Sequence, residues 1–360
     1  MGRSAIAAVF HGPGRPLRVQ RFDAPDPVGA GALVRVTGCT LCGSDLHTFD
    51  GRRSAPTPSV LGHEIVGRIE ALGPDAPRCD AVGQPLRPGD RVTWSVVAHC
   101  GRCFYCTRGL PQKCEAMVKY GHEPLRPGTE LTGGLAEFCQ LAPGSTVFRL
   151  PDGLGDAVAC PASCATATVA AALRAAGSVA GGAVLVQGAG LLGLTACAMA
   201  RHLGAAEVLC CDVAPARLAL AEAFGATRTA PPAELATAVA AGTGRYGVDV
   251  ALELTGSPDA FEAGLPLLRT GGSYVLVGAV YPGRPVSVGM EAIVRRQLTL
   301  RGVHNYAPED LGAALRFLVE ADTYPFASLV ADWVPLADAN RAFEAAGRGG
   351  ALRIGVRASD

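Results

Sequence analysis

In the first 150 residues, the apolar positions fall in short runs that are separated by glycine and proline. Ala5 to Phe10, Ala32 to Thr37, Val66 to Leu72 and Asp90 to Trp94 are runs of this kind, and their composition favours strands. Short strands with frequent turns are typical of antiparallel sheets that curl into a partly closed barrel. The pattern therefore predicts a β-rich domain over residues 1–155.

From about Ala157 the pattern changes, and short apolar runs alternate with alanine-rich stretches of helical length. The predicted strands are Ala183 to Gln187, Glu207 to Asp212, Val248 to Leu254 and Ser273 to Gly278. The predicted helices are Leu191 to Leu203, Ala216 to Phe224 and Pro258 to Leu268. Strands that alternate with helices at this spacing form a parallel, doubly wound sheet. The predicted fold class is α/β, with this sheet in residues 156–299.

The last segment, residues 300–360, has a mixed pattern. Pro308 to Glu320 and Leu336 to Ala346 have helical periodicity, and Leu352 to Arg357 has the composition of a strand. We expect this segment to return to the first domain. The doubly wound sheet would then be an insertion in the β-rich domain.

Composition narrows the classes of partner. The 360 residues include 32 Lys or Arg and 32 Asp or Glu, without a basic run, so neither a nucleic acid nor an anionic membrane is an expected partner. Glycine and charged residues interrupt every apolar stretch before it could span a bilayer. Met1 to Phe10 lacks a signal-peptide pattern, and thirteen cysteines suit a reducing compartment. We therefore expect a cytoplasmic enzyme with a small-molecule substrate.

Four cysteines lie within fifteen residues in the pattern C-x2-C-x2-C-x7-C, namely Cys100, Cys103, Cys106 and Cys114. Four thiolates at about 2.3 Å complete the tetrahedral coordination of one zinc ion and leave no position for a substrate. The spacing therefore predicts a structural zinc site. Two disulfides or an iron centre are the alternatives, and the absence of a secretory leader disfavours the disulfides.

A glycine-rich turn follows the predicted strand that ends at Gln187 and begins the next helix. It contains the G-x-G-x-x-G pattern, with Gly188, Gly190, Leu191, Leu192 and Gly193. In this context the first glycine permits a tight turn and the second lets a pyrophosphate approach the backbone N–H groups of the helix. The third allows close packing of the helix on the strand. The motif predicts a dinucleotide site.

An acidic residue follows at the end of the second predicted strand. Asp212, nineteen residues after Gly193, can accept hydrogen bonds from both hydroxyls of the adenosine ribose. Its charge would repel a 2′-phosphate, which predicts NAD rather than NADP. Arg217 could reach the ribose or the pyrophosphate, and a solvent-exposed helix arginine is the alternative interpretation.

The β-rich domain also contains the elements of a catalytic metal site. A catalytic zinc ion takes three protein ligands and keeps one open position. Cys42 and His63 supply two ligands, and Glu64 lies beside them. The third ligand is expected near the start of the doubly wound part of the chain, where Cys160 and Cys164 are the candidates.

These motifs together resemble those of the zinc-dependent medium-chain alcohol dehydrogenases. The shared motifs, in their order along the chain, are C-G-S-D-x-H from Cys42, G-H-E from Gly62, the four-cysteine lobe and G-A-G-x-x-G from Gly188. The resemblance covers essentially the whole chain and implies a GroES-like catalytic domain with a Rossmann domain. It also implies that the third zinc ligand is Cys164, that two zinc ions are bound, and that Thr168 lies near the cofactor.

The resemblance implies further roles. Ser44 would bind the substrate hydroxyl and pass its proton through the nicotinamide ribose to His47 and water. Glu64 would lie beside the zinc ion or ligate it transiently, and Asp45 would orient a zinc-bound imidazole. The implied cofactor contacts are Val277, Gly278 and Ala279, through their backbone, and Arg353, at the pyrophosphate.

The substrate is less well defined by the motifs. Several segments resemble a branch of alcohol dehydrogenases associated with phosphonate metabolism, namely Gly51 to Arg53, Val60 to Glu64 and Cys164 to Thr168. That resemblance implies a hydroxyalkylphosphonate or its aldehyde as substrate. The basic side chains that could neutralise it are Arg52, Arg53, Lys119, His122 and His304.

Two alternatives stay open at this point. The start of the Cys42 motif also resembles polyol and threonine dehydrogenases, which would make the substrate a polyol or an amino alcohol. A catalytically silent protein that binds zinc and nucleotide is the alternative of another class. Relatives of this family are dimers or tetramers, so we expect a homodimer or homotetramer, with Pro282 to Met290 as a candidate contact segment.

Overall fold

The computed structural model describes residues 3–358, which divide into two compact units. The first unit comprises the described residues up to Cys164, Ala307–Leu315 and the described residues from Phe326 onward. The second unit comprises Ala165–Tyr306 and Arg316–Pro325. The C-terminal segment thus returns to the first unit, and most of the second unit is an insertion between the two parts.

The boundaries between the units differ from the predicted ones at residues 155/156 and 299/300. Residues 156–163 belong to the first unit because their helical turns pack on two of its strands. Residues 316–325 rejoin the second unit, where Tyr324 stacks on Phe224 and Phe317 contacts His202 edge-on. Side-chain packing between segments that are distant in sequence therefore determines both boundaries between the units.

Within the described residues, the strands run in chain order as follows: β1 Arg3–Phe10, β2 Arg18–Ala24, β3 Ala32–Thr40, β4 Ser59–Val60, β5 Glu64–Leu72, β6 Arg91–Trp94, β7 Val97–Ala98, β8 Val118–Lys119, β9 Phe138–Leu141, β10 Val147–Arg149, β11 Ala183–Gln187, β12 Glu207–Cys211, β13 Arg228–Ala230, β14 Val248–Glu253, β15 Leu268–Leu276, β16 Thr299–Gly302, β17 Val330–Pro335 and β18 Arg353–Arg357. The α-helices are α1 Gly43–Phe49, α2 Asp156–Ala159, α3 Ala165–Ala176, α4 Leu191–His202, α5 Pro215–Ala223, α6 Leu235–Thr243, α7 Pro258–Gly264, α8 Met290–Arg295, α9 Pro308–Glu320 and α10 Ala339–Gly347. Short 3₁₀ turns connect several of them, and one of these, Cys160–Ser163, leads to Cys164.

The first unit is built from a mainly antiparallel sheet with the strand order β10-β6-β5-β3-β18-β17, to which β9 adds on β3. A three-stranded sheet, β2-β1-β4, and the β7-β8 hairpin complete its strands. The strand β18 pairs antiparallel with β3, so that Gly355 lies opposite Thr40. This pairing brings the C-terminal strand next to the residues that precede α1 and to the first residue of β5, Glu64.

The second unit contains a parallel sheet with the strand order β13-β12-β11-β14-β15-β16. The order reverses direction between β11 and β14, which is where ligands bind in doubly wound sheets, at the carboxyl ends of the strands. The five residues of β11 are all buried, as expected for a central parallel strand. No single helix in the described part of the chain is long and apolar enough to cross a membrane; a bent pair, Asp156–Ser163 with Ala165–Ala176, reaches that length and composition only when joined.

Candidate active site

The start of α1 holds Cys42 and Asp45 in a fixed relation. Asp45 is buried and accepts the backbone N–H of Cys42 at 2.9 Å and that of Gly62 at 3.3 Å. Its Oδ1 atom lies 3.2 Å from Nδ1 of His63. A carboxylate can only accept, so Nδ1 carries the hydrogen and Nε2 of His63 is left free to bind a metal. One carboxylate therefore positions both predicted ligands.

Gly62 allows His63 to follow such a tight turn. Its φ is +89°, a conformation that residues with a side chain rarely adopt. A Cβ atom there would also lie 2.7 Å from Sγ of Cys39. The glycine of the G-H-E motif is thus required by both backbone conformation and packing.

Cys164 joins Cys42 and His63 from the end of the 3₁₀ turn. The Ser163 hydroxyl donates to the His63 carbonyl at 3.4 Å, which holds this segment against the β5 side of the site. Sγ of Cys164 lies 4.0 Å from Sγ of Cys42. Cys160, the other candidate ligand, is fully buried and packs against Gly38 instead.

The cluster has the dimensions of a zinc site. Ligand atoms of Cys42, His63, Glu64 and Cys164 all lie within 4.8 Å of one another. Two sulfurs bound to tetrahedral zinc at about 2.3 Å are about 3.8 Å apart, which matches the 4.0 Å observed here. The donor set of two thiols and an imidazole is also the one that zinc prefers. These residues fit a catalytic zinc ion.

Charges around the cluster favour a cation. Burial disfavours the charged form of His63, but the Asp45 carboxylate outweighs it and raises the pKa of His63 to about 10. The pKa of Cys42 is lowered well below its usual range by the hydrogen bond from Cys164 and by the charge of Arg353. A negatively charged thiolate is suited to bind a metal ion, and a metal ion would replace the proton that the raised pKa leaves on Nε2 of His63.

Arg353 is buried beside the metal ligands, and its predicted contact with the pyrophosphate stays a prediction. Its Nε and Nη2 donate to the two carboxylate oxygens of Glu64, each at 2.8 Å, and Nη2 lies 3.6 Å from Sγ of Cys42. Burial raises the pKa of Glu64, and the charge of Arg353 opposes that rise. The pairing of β18 with β3 brings this guanidinium beside the metal ligands, where it compensates the buried carboxylate.

Thr40 is a site residue that the sequence analysis missed. Its hydroxyl donates to Oε2 of Glu64 at 2.6 Å, and both residues are fully buried. Thr40 ends β3, two residues before Cys42, and no motif marks it. In the sequence, Thr40 is distinguished only by lying two residues before the C-G-S-D motif. That position alone does not predict a contact with Glu64.

The four-cysteine lobe forms a second cluster with its own zinc-like geometry. Ligand atoms of its members lie within 4.8 Å of one another, namely Cys100, Cys103, Cys106 and Cys114. Sγ of Cys103 lies 3.9 Å from Sγ of Cys114, and the Ala116 N–H points at the Cys114 sulfur at 3.4 Å. The backbone N–H groups of Cys106 and Glu115 lower the pKa of Cys103 to about 6. This cluster fits a structural zinc ion.

The glycine-rich turn lies at the carboxyl end of β11. Gly188 has a φ of +99°, and a Cβ on Gly193 would lie 1.7 Å from the Gly188 carbonyl oxygen. Gly190 precedes the first turn of α4, and no protein atom lies within 4 Å of where its Cβ would be. Leu191 and Leu192 begin the helix. The space at Gly190 and the helix N-terminus suit a pyrophosphate.

Asp212 and Arg217 lie close to this turn. The Asp212 carboxylate accepts the backbone N–H of Ala189 at 2.6 Å and that of Ala214 at 2.8 Å. Nη1 of Arg217 lies 4.0 Å from Oδ2 of Asp212. Each carboxylate oxygen has a second lone pair, so hydrogen bonds from ribose hydroxyls remain feasible.

Other predicted cofactor residues belong to the same unit. Thr168 is half-buried in α3. Val277 and Gly278 follow β15 and donate their backbone N–H groups to the Glu253 carbonyl, each at 3.0 Å, and Ala279 comes next. Their place after a sheet strand agrees with a ligand-binding edge.

The predicted proton-transfer residues lie on α1, three positions apart. Ser44 and His47 are both half-buried. Burial lowers the pKa of His47, so its ring is neutral near pH 7.

The five predicted basic residues have different surroundings in the structure. Nη1 of Arg53 contacts Nε2 of His122 at 2.8 Å, and the charge of Arg53 acts on Lys119. Arg52 is 61% exposed and pairs with Asp50 at 2.7 Å. The fifth residue, His304, is exposed and belongs to the second unit. Within the first unit the basic cluster consists of Arg53, Lys119 and His122, and the predicted role of His304 stays a prediction.

Comparison with known protein families gives two matches. A family model described as zinc-binding dehydrogenase matches residues 192–320, and one described as alcohol dehydrogenase GroES-like domain matches residues 29–152. The GroES-like match includes both cysteine clusters apart from Cys164, and the zinc-binding dehydrogenase match begins at Leu192, near the end of the glycine-rich turn.

Characterised relatives are similar over most of the chain. The 5-exo-hydroxycamphor dehydrogenase of Pseudomonas putida is 33% identical over 349 residues, which cover 91% of this chain and 92% of that protein. An L-threonine 3-dehydrogenase of Anaeromyxobacter dehalogenans (strain 2CP-C) is 36% identical over 295 residues, or 79% of each protein.

Solved structures are similar as well. An alcohol dehydrogenase of Thermotoga maritima has a TM-score of 0.93 and 31% identity, covering 99% of this chain and 100% of that one. A dehydrogenase of the zinc-binding class from Sinorhizobium meliloti 1021, bound to NADP, has a TM-score of 0.86 and 25% identity over 99% of each chain. From the matching family models and these similarities over nearly the whole length, it follows that the chain belongs to the zinc-dependent, medium-chain alcohol dehydrogenase family.

Proposed function

We propose that the protein is a zinc- and NAD-dependent dehydrogenase that interconverts a small hydroxyalkyl substrate and its carbonyl form. The observation that carries the proposal is the cluster of Cys42, His63 and Cys164, whose sulfurs lie 4.0 Å apart beside a buried imidazole. Three protein ligands leave one corner of a tetrahedron for substrate.

The side chains around the cluster support this assignment. Cys42, His63 and Cys164 would hold the ion, which when bound supplies the Lewis acidity that favours the alkoxide form of an alcohol. Asp45 fixes the His63 ring through Nδ1. Arg353 donates to both carboxylate oxygens of Glu64, which favours the ionised carboxylate and directs it at the guanidinium.

We assign the proton transfer to Ser44 and His47. Positions three apart on a helix lie on one face, so both side chains can serve one path. Ser44 would accept the proton of the substrate hydroxyl, and His47 would carry it toward solvent. The neutral ring of His47, whose pKa is lowered by burial, is able to accept a proton near pH 7.

The dinucleotide that we propose is NAD, bound at the turn from Gly188 to Gly193. A dinucleotide held there would supply the hydride acceptor that oxidation of an alcohol needs. The support for NAD is Asp212, which is held in place by two backbone N–H groups and would repel a 2′-phosphate. A similar dehydrogenase was solved with NADP, so the preference of this chain depends on its own residues at this position.

For the substrate, we propose a phosphonate-bearing alcohol or its aldehyde. Support comes from the sequence resemblance of Gly51 to Arg53 and of neighbouring segments to that branch of the family, and from the basic cluster beside the metal ligands. A polyol or amino-alcohol substrate is the second candidate, which the similarity to L-threonine 3-dehydrogenases favours. A catalytically silent zinc protein is disfavoured because Cys42, Ser44, His63 and Cys164 are all present.

We further propose that the enzyme is cytoplasmic and forms a homodimer or homotetramer. The thirteen cysteines are free thiols, a composition suited to a reducing compartment. The strand β16 is exposed along its length at the edge of the parallel sheet, and Val286, Met290 and Val294 nearby are exposed as well. An edge strand with apolar neighbours is able to pair with a second copy.

The test is NADH formation over a panel of alcohols, with the variant Cys164→Ala. We expect turnover to fall by about a thousandfold or more, because a metal ion contributes several kcal/mol to such a barrier. Zinc content should fall from two ions to one per chain, while NADH affinity stays unchanged. Cys160→Ala is the matched control and should keep both ions. Full activity of Cys164→Ala would refute the ligand assignment, and a zinc-loaded protein that oxidises no alcohol would support the silent alternative.

A further inference from the structure

Arg53 and His122 form a pair beside the metal ligands. Nη1 of Arg53 lies 2.8 Å from Nε2 of His122, and Nδ1 of His122 lies 2.8 Å from the carbonyl oxygen of Tyr120. A carbonyl oxygen only accepts, so Nδ1 is the donor and Nε2 accepts from Arg53. The His122 ring is therefore neutral, and its centroid lies 5.1 Å from that of His63. The pair carries one positive charge, on Arg53.

Lys119 brings a second cation to the same region. Burial and then the charge of Arg53 lower the pKa of Lys119 to about 8. The carboxylate of Glu123, four residues along the chain, accepts the backbone N–H of Lys119 at 2.8 Å. In the described part of the chain, neither Arg53 nor Lys119 forms a salt bridge with a carboxylate, whereas the adjacent Arg52 pairs with Asp50.

This arrangement is unfavourable without a counter-ion. Arg53 and Lys119 are partly buried and carry charges of the same sign, so each disfavours the charge of the other. The attraction that Lys119 feels comes chiefly from the Cys164 and Cys42 sulfurs, so its charge acts toward the metal ligands. Partly buried like charges are more stable with an opposite charge between them, and an anion bound from solution would supply it.

We propose that Arg53 and Lys119 form a binding site for an oxyanion of the substrate, and that His122 is the positioning residue that holds Arg53 in place. This inference rests on the proposed function, because it puts the anion next to the metal that would bind the hydroxyl. The substrate class is a small alcohol with a phosphonate, carboxylate or similar group near the hydroxyl. Arginine offers parallel N–H donors to such a group, and lysine adds a point charge.

The kinetic test compares matched alcohols with and without an acidic group: 2-hydroxyethylphosphonate, 3-hydroxypropionate, L-threonine and 1-propanol. In the zinc-loaded variants Arg53→Met and Lys119→Met, we expect KM for the acidic alcohols to rise about tenfold or more, because charge-assisted hydrogen bonds are lost. KM for 1-propanol should stay within about twofold, since it makes no such bond. Arg52→Met is the matched control and should change neither value.

His122 is tested by a pair of variants. His122→Ala should raise KM for the acidic alcohols without lowering kcat. His122→Gln should restore part of the affinity, because its amide offers an acceptor to Arg53 and a donor to Tyr120. A loss of kcat that is equal for acidic and neutral alcohols would show a general structural role and overturn the assignment to His122.

Binding of methylphosphonate and of acetate, measured by calorimetry on the zinc-loaded protein, separates this inference from the proposed function. Loss of methylphosphonate binding in Arg53→Met and Lys119→Met supports the anion site even if no alcohol is oxidised. Stronger binding of acetate would instead identify a carboxylate substrate. Oxidation of alcohols with unchanged KM values, and unchanged anion binding in both variants, would overturn the anion site and leave the dehydrogenase in place.

Discussion

At the scale of the residue, Arg353 and Glu64 form a buried ion pair beside the metal ligands. The two side chains are 7% and 0% exposed, and the guanidinium donates to both carboxylate oxygens. Thr40 adds a third hydrogen bond to the same carboxylate. Removing one member would leave an uncompensated charge in the core.

We predict that Arg353→Met lowers the free energy of unfolding of the first unit by about 3–5 kcal/mol. Arg149→Met is the control, because Arg149 is 42% exposed and lies 3.5 Å from Asp90, and the loss of such a surface pair costs about 1 kcal/mol or less. Denaturant unfolding followed by fluorescence measures both. If both variants lost the same free energy of unfolding, the buried pair would contribute no more to stability than the surface pair.

The proposed preference for NAD depends on the charge of Asp212. We predict that Asp212→Asn raises the NADP to NAD ratio of kcat/KM by about tenfold or more, because the repulsion of a 2′-phosphate is removed. The amide keeps an acceptor for the backbone N–H groups that Asp212 now holds. Asp249→Asn, at the other end of β11, should leave the ratio unchanged. An unchanged ratio in Asp212→Asn would exclude the ribose role.

At the scale of the element, the turn between β11 and α4 combines packing and binding in one segment. Gly193 has no room for a side chain, because its Cβ would meet the Gly188 carbonyl oxygen at 1.7 Å. Gly190 has room within the protein, since no atom lies within 4 Å of its Cβ position. Gly193 is therefore required by packing, whereas Gly190 leaves space beside the helix N-terminus, although both match the same sequence motif.

We predict that Gly190→Ala leaves the unfolding midpoint of the second unit nearly unchanged and weakens NADH binding by about tenfold or more, because the methyl group blocks the pyrophosphate. Gly193→Ala should instead destabilise the unit itself. Thermal unfolding and NADH fluorescence titration separate the two effects. Wild-type NADH affinity in a folded Gly190→Ala protein would argue against a pyrophosphate at this turn.

At the scale of the whole molecule, the two units have separate hydrophobic cores, and each carries its own candidate ligand site. Both cysteine clusters belong to the first unit, and the glycine-rich turn belongs to the second. We therefore expect changes in the first unit to affect metal loading and changes in the second unit to affect dinucleotide binding.

We predict that zinc removal by a chelator lowers the unfolding midpoint of the first unit and abolishes turnover, because metal binding contributes to folding. NADH affinity should stay within about twofold, since the predicted dinucleotide contacts other than Arg353 belong to the second unit. Cys103→Ser distinguishes the two ions, because it should release one zinc per chain and retain the other. Loss of both ions from Cys103→Ser would show that the two sites depend on each other.

The amino-acid sequence by itself determined the elements and the local motifs. Hydrophobic periodicity predicted the strand Ala183–Gln187 and the helix Pro308–Glu320 with the bounds that the structure has, and most other elements within a few residues. The four-cysteine lobe and the glycine-rich turn were readable because their residues are neighbours along the chain. Local spacing sets the geometry of such segments.

Only the tertiary structure decided which distant residues meet. Arg353 and Glu64 are 289 positions apart, and Arg53 and His122 are 69 apart. The choice between Cys160 and Cys164 on geometry, the contact of Thr40 with Glu64 and the separation of Arg52 from Arg53 all depend on strand pairing and side-chain packing. These contacts follow from how the strands pair around a common core, a global property that hydrophobic periodicity, which reports one element at a time, does not contain.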